Sequence, residues 1–397
     1  MSLQPYQRVL SIRDARRVLL LGFLLRMPIF SAGIILTLHV VTHLGHSYAD
    51  AGLVAAAATI AIAISGPWRG RLLDRMGLRR VLLPSMIVSA ICWSIAPFVG
   101  YVPLLVLAVI GGLFVVPTFS IIRQGVIAAV PDDQRRTALS LDGMSVELAF
   151  MIGPVVVVWL TTFLPTSWVL FGIEMLGVVL ASVLWWANPA LRSAEVDESE
   201  VGATSRRSWF RVPFIAICLA ATASTIVLGG SDVAIVAAMR HWDAVSQLAV
   251  VLIPWSFGSL VGGLVYGAMS RGFSPFILLL MLALTTVPMA FAPNLWVFAV
   301  LAVFSGLFCA PTITATVDAV SRVVPAAARG EAMGWHGSFM TAGSALGAPL
   351  AGIAIDAGGF GAGLLVVSII GAVIALGGGT ALLARSRVLR ARHALVA

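Results

Sequence analysis

The chain has 397 residues, of which 60% are apolar and 11% charged, with a mean hydropathy of +1.02. A water-soluble protein so composed would expose more apolar surface than water tolerates, and its apolar residues fall in unbroken runs such as 104–116, 155–164 and 278–292. The formal charge of +8, which in a soluble protein would suggest a nucleic-acid partner, here reports how the chain lies in a bilayer, and no nucleic acid is expected as a partner.

A spanning helix needs about 20 mostly apolar residues. In chain order the sequence predicts spans over 18–41, 50–68, 80–99, 103–130, 137–163 and 167–187, then 213–238, 246–269, 275–293, 295–322, 332–354 and 362–384. The first run is long enough to span and has no convincing cleavage site, so it reads as a membrane helix and not as a signal peptide. Between the two sets lies a polar stretch with Glu195, Asp197, Glu198, Glu200, Arg206 and Arg207. The expected organisation is a six-helix bundle over 1–187, a cytoplasmic linker over 188–211 and a second six-helix bundle over 212–397. Cys92, Cys218 and Cys309 each sit in an apolar run, far apart, and read as small core residues.

All 25 basic residues are arginine, and their placement is one-sided. Arg8, Arg13, Arg16 and Arg17 precede the first span, and Arg69, Arg71, Arg75, Arg79 and Arg80 follow the second. Arg135 and Arg136 follow the fourth, and Arg192, Arg206, Arg207 and Arg211 follow the sixth. Arg271, Arg322 and Arg329 lie after the eighth and tenth, while Arg385, Arg387, Arg390 and Arg392 end the chain; of the loop arginines only Arg240 falls on the other side. The excess of arginine in cytoplasmic loops places both termini in the cytoplasm and makes the number of spans even. The expected location is the inner (plasma) membrane.

The two halves are related at a fixed offset of 194 residues. Gly112-Leu113-Phe114 matches Gly306-Leu307-Phe308, Pro117-Thr118 matches Pro311-Thr312, and Val130-Pro131 matches Val324-Pro325. Arg135, Ala138, Gly143 and Gly153 match Arg329, Ala332, Gly337 and Gly347. A parallel repeat of six-helix halves is the architecture of one large class of transporters.

The loop between spans 2 and 3 reads Gly70-Arg71-Leu72-Leu73-Asp74-Arg75-Met76-Gly77-Leu78-Arg79-Arg80. A basic cytoplasmic turn accounts for the arginines but not for an acid set between two glycines. This loop resembles the signature of the major facilitator superfamily, Gly-x-Leu-x-Asp-Arg-x-Gly followed by basic residues. Gly70, Leu72, Asp74, Arg75 and Gly77 match it, with Arg79 and Arg80 as the basic tail, and Leu78 departs where a third basic residue is common. The resemblance implies an all-α fold of twelve spans in two pseudo-symmetric bundles, moving a solute by alternating access. It also implies a latch in which Asp74 meets the amino end of helix 11, where a helix dipole favours an anion. In the second half, Gly267-Ala268-Met269-Ser270-Arg271-Gly272 is a decayed copy without the acid. On helix 5, Gly153-Pro154 partly resembles the signature of proton-coupled exporters, with Ala149, Val157 and Val158 where that signature has glycine. The layout is similar to bacterial drug and metabolite exporters, and the signatures of sugar porters are not evident.

Charges inside spans are costly and mark function or pairing. Arg26, Arg123, Asp142 and Glu147 all fall in the cytoplasmic half of the first bundle and are expected to form one network, whose role is either to bind the helices together or to rearrange with substrate. Glu147, Asp232 and Asp318 are the candidate proton-coupling acids; Asp318 lies near Arg322, and Glu174 on helix 6 ranks lower. His39 reads as an interfacial residue and His336 as one at the cytoplasmic edge. No metal-ligand spacing, phosphate-cradling loop or nucleophile–base pair is present, so neither metal, cofactor nor catalysis is expected. The expected partners are a small-molecule substrate, protons and the lipid bilayer, with the protein acting as a monomer in proton-coupled efflux. An importer or uniporter, or a membrane receptor or enzyme, is the alternative.

Overall fold

The structure, a computed structural model, describes residues 4–191, 206–244, 247–269 and 271–394, with the backbone alone for 48–49 and 381–394. Most of the predicted linker therefore lies outside the described residues, as do the side chains of the closing arginines. Every extended element described is a helix. The spans are α1 (Arg13–His43), α2 (Asp50–Met76), α3 (Leu78–Phe98), α4 (Tyr101–Ala129), α5 (Arg135–Leu160) and α6 (Thr166–Ala187). After the central stretch come α7 (Val212–His241), α8 (Ala249–Ala268), the shorter α9 (Pro275–Phe291) and α10 (Leu295–Val323). The last apolar element, Ala326–Thr380, is two helices joined without a loop, because Gly358 and Gly359 leave helical geometry and Gly359 takes a φ of +76° that favours glycine. These two are α11, over 329–357 after a 3₁₀ turn at Ala326–Ala328, and α12, over 360–380. With that pair counted as two, twelve spans stand among the described residues.

Several helices are apolar all round, as helices surrounded by lipid and other helices must be. Large side chains such as Ile64, Val155, Trp186 and Ile353 remain exposed on helix surfaces, which suits lipid and not water. Prolines set the irregular points. Pro117 has no N–H to give, and α4 breaks into Tyr101–Leu113 and Thr118–Ala129 around it. Pro97 and Pro288 lie in the 3₁₀ turns that end α3 and α9.

By packing the chain forms two units, Met1–Ser205 with Pro325–Ser338, and Arg206–Val324 with Phe339–Ala397. In both units the repeat is visible as shared backbone contacts. A Cβ on Gly112 of α4 would lie 2.8 Å from the Ala58 carbonyl oxygen of α2, and one on its counterpart Gly306 of α10 would lie 2.1 Å from the Trp255 carbonyl oxygen of α8. A Cβ on Gly153 of α5 would lie 2.9 Å from the Met27 oxygen of α1, and one on Gly347 of α11 would lie 2.7 Å from the Ile226 oxygen of α7. Helices in lipid associate by such close backbone packing, since apolar side chains gain nothing by leaving a medium as apolar as themselves. The small residues are therefore what hold each unit together. Cys92, Cys218 and Cys309 are free and buried.

Candidate functional site

In the first unit three buried charges meet at the crossing of α1, α4 and α5. Arg26, wholly buried, has Nη1 2.7 Å from Asp142 Oδ1 and donates from the same nitrogen to Ser145 Oγ at 2.9 Å. Arg123 Nε lies 4.0 Å from the other carboxylate oxygen of Asp142. Both guanidinium groups stand over the Phe119 ring, at 5.1 Å for Arg26 and 5.5 Å for Arg123. One carboxylate thus sits between two cations, with an aromatic face helping to hold them at this density of charge. Arg26 Nε and Nη2 are buried without a hydrogen-bond partner, so the pair is close but incompletely satisfied. Such a cluster ties three helices together.

The other network residue, Glu147, lies on α5 five positions beyond Asp142, half-buried and engaged by other atoms. Arg26 and Arg123 both form ion pairs with Asp142. His336 of α11, the counterpart of Asp142 in the repeat, is fully buried and within electrostatic reach of Arg123. His39 is likewise buried, in the π-helical turn that closes α1, with its ring 3.2 Å from Thr166 Oγ1 at the start of α6.

Where α2 turns into α3, Asp74 is buried and accepts two backbone hydrogen bonds, from the Gly330 N–H at 2.8 Å and the Glu331 N–H at 2.7 Å. These are orphan donors of the first turn of α11, where the helix dipole also favours an anion. Gly70 permits the approach, since a Cβ there would stand 2.2 Å from the Gly330 oxygen. Gly77 serves the turn instead. Its φ is +76° and nothing surrounds it, so it swings the chain from α2 into α3. Arg71 reaches Glu331 at 3.7 Å, and Arg79 stacks on the Trp185 ring while donating to the Trp185 and Trp186 carbonyls at the end of α6. Arg75 and Arg80 are exposed.

Of the acids in the second unit, Asp318 pairs with Arg322 one turn on, at 3.0 Å. Asp232 is exposed in the later half of α7 and is not free of partners. Gly153 makes the α1–α5 packing described above, and Pro154 follows it inside α5. The sequence alone does not single out Ser145, Phe119 or Glu331. The spacing of Ser145 from Asp142, three residues on one helix face, is the one available signal. Among the described residues no cluster of His, Cys, Asp or Glu is set to hold a metal.

Twelve apolar spans, a twofold repeat and a buried intramembrane charge cluster define a polytopic membrane transporter. The family model for the Major Facilitator Superfamily matches residues 18–291 and 233–394, and the chain belongs to that family. It is a transporter and not an enzyme. Over 348 residues, 81% of this chain and 84% of the other, it is 27% identical to the "Multidrug efflux pump Tap" of Mycolicibacterium fortuitum. It is also 26% identical over 181 residues to the "Staphylopine export protein" of Staphylococcus aureus (strain Mu50 / ATCC 700699), a match spanning 45% of each chain and so less than half of that exporter. Among solved structures, a bacterial homologue of the iron transporter ferroportin in its outward-facing state superposes with a TM-score of 0.74 at 13% identity, over 93% of this chain and all of the other. The human organic anion transporter MFSD10 (TETRAN) gives 0.70 at 15% identity, over 92% and 98%. At such identities these two share the fold alone.

Proposed function

We propose that the chain exports a small organic molecule across the bacterial plasma membrane in exchange for protons, by alternating access. The observation that carries alternating access is the double hydrogen bond from the start of α11 to Asp74. By sequence α11 belongs to the second half, yet its first residues pack with the first unit. A carboxylate holding two backbone N–H groups makes a contact strong enough to favour one state and, being non-covalent, free to break in another. Export is supported by the names of the two relatives, both efflux proteins. Proton exchange is supported by acids within spans, of which Glu147 and Asp232 lead. The ion pair with Arg322 leaves Asp318 as the weakest of the three. The termini are read as cytoplasmic from the arginine distribution, and the working unit as a monomer. The test is flux of a compound panel in vesicles of purified protein, with and without an imposed pH gradient. Gradient-driven movement of at least one compound supports the reading, whereas gradient-independent equilibration points to a uniporter.

A further inference from the structure

The first unit holds a partly open cavity of about 290 Å³ lined by α1, α2, α3, α4 and α6, apart from the Arg26, Arg123 and Asp142 group. That volume lies at the lower edge of what accommodates a drug-sized ligand. Its wall is mainly aliphatic side chains, glycine and alanine, and a single ionisable side chain lines it, that of Glu174. Glu174 is near the middle of α6, which spans Thr166–Ala187, and so near mid-membrane. Among the described residues no hydrogen bond or ion pair reaches its carboxyl, and no neighbouring charge acts on it. Gly177, one turn along the same helix face, keeps the space open, since a Cβ there would meet only Pro28, at 3.8 Å.

From this geometry we infer that the cavity is a binding site for an amphipathic organic monocation, a quaternary ammonium or protonated amine with an apolar body, whose counter-ion is Glu174. An isolated acid at this depth is costly to keep charged, and a cation brought beside it relieves that cost. The cavity wall selects among cations. A hard inorganic ion needs six or more oxygen ligands, whereas one carboxylate with the hydroxyls of Thr59, Ser89 and Thr118 offers fewer. An anion would meet a like charge, and a neutral apolar ligand would leave the acid uncompensated. Trp93, whose indole nitrogen packs against Gly111 of α4, adds an aromatic ring to the wall, a surface on which ammonium groups bind. Such a site is independent of which acid carries the transport proton.

The probe is benzyltrimethylammonium, which keeps its charge at every pH, compared with its neutral isostere neopentylbenzene. Equilibrium dialysis against the purified full chain in lipid nanodiscs should show saturable binding of the cation and at least about tenfold weaker binding of the isostere. Glu174→Gln should weaken cation binding by at least about tenfold, Glu174→Asp should retain most of it, and Gly177→Leu should abolish it by filling the space. Equal affinity for the two probes, absence of saturable cation binding, or an unchanged affinity in a folded Glu174→Gln variant would each overturn the assignment. Should that variant not fold, the comparison of the two probes on the unaltered protein still decides. A failure here leaves gradient-driven flux untouched, because binding is measured without transport.

Discussion

Asp142 carries more than its own charge. With Arg26 at 2.7 Å and Arg123 at 4.0 Å, its removal leaves two buried guanidinium groups without a carboxylate. Breaking a buried pair in this way costs about 3–5 kcal/mol, whereas removing both partners of a pair often costs little. Asp142→Asn should therefore lower the unfolding temperature of the detergent-solubilised protein far more than the Arg26→Met, Asp142→Leu double substitution, which leaves the net charge of the group as it was. Additive losses would show that the two do not interact. The loop glycines that look alike in sequence should also separate. Gly70→Ala forces a Cβ to 2.2 Å from the Gly330 oxygen and should impair folding or transport strongly, while Gly77→Ala meets nothing within 4 Å and should cost only the strain of a left-handed backbone, about 1–2 kcal/mol. Thermal unfolding of the two variants side by side checks this. Equal losses would contradict it.

At the scale of elements, the latch and the repeat make separate predictions. Asp74→Asn keeps the side chain's shape but removes the charge that meets two N–H groups of α11, and a hydrogen bond to a charged group is worth about 1.5–3 kcal/mol. Flux at equal membrane abundance should fall by about tenfold or more; unchanged flux would remove the latch from the mechanism. If the repeat reflects shared packing, Gly153→Leu and Gly347→Leu should destabilise by comparable amounts, each about 1–3 kcal/mol or above, because both press on the backbone of the first helix of their half. Much of this level is legible in the sequence. The runs of apolar residues, the one-sided arginines and the Asp74 loop are properties of linear order. The pairing inside the first unit is not. Arg26, Arg123, Asp142 and Glu147 group by depth, but linear order does not say that both cations come within 4.0 Å of Asp142. Depth along a helix follows from counting residues, but rotation about its axis does not when the helix is apolar on every face. The setting of Glu174 is hidden for a related reason: a cavity belongs to the packing of five helices, and no one of them encodes it.

For the whole molecule, the repeat supplies two units of the same design with different contents. In the first the crossing of α1, α4 and α5 carries Arg26, Arg123 and Asp142, while in the second the α7–α11 crossing is held by Thr222 and Thr225, which donate to the Phe339 and Met340 carbonyls at 3.0 and 2.9 Å. An exchange of substrate for protons needs an acid that meets both sides in turn, and Glu147 and Asp232 have opposite merits. Glu147 lies deep in α5, near the middle of Arg135–Leu160, while Asp232 lies exposed in the later half of α7. The most direct measurement is substrate flux against an imposed pH gradient in vesicles reconstituted with the unaltered protein, Glu147→Gln or Asp232→Asn. The predicted result is uphill, gradient-driven movement in the unaltered protein that at least one of the two amides abolishes while downhill exchange persists. Flux that ignores the gradient in the unaltered protein, or gradient-driven flux retained by both amides, would contradict coupling through these acids.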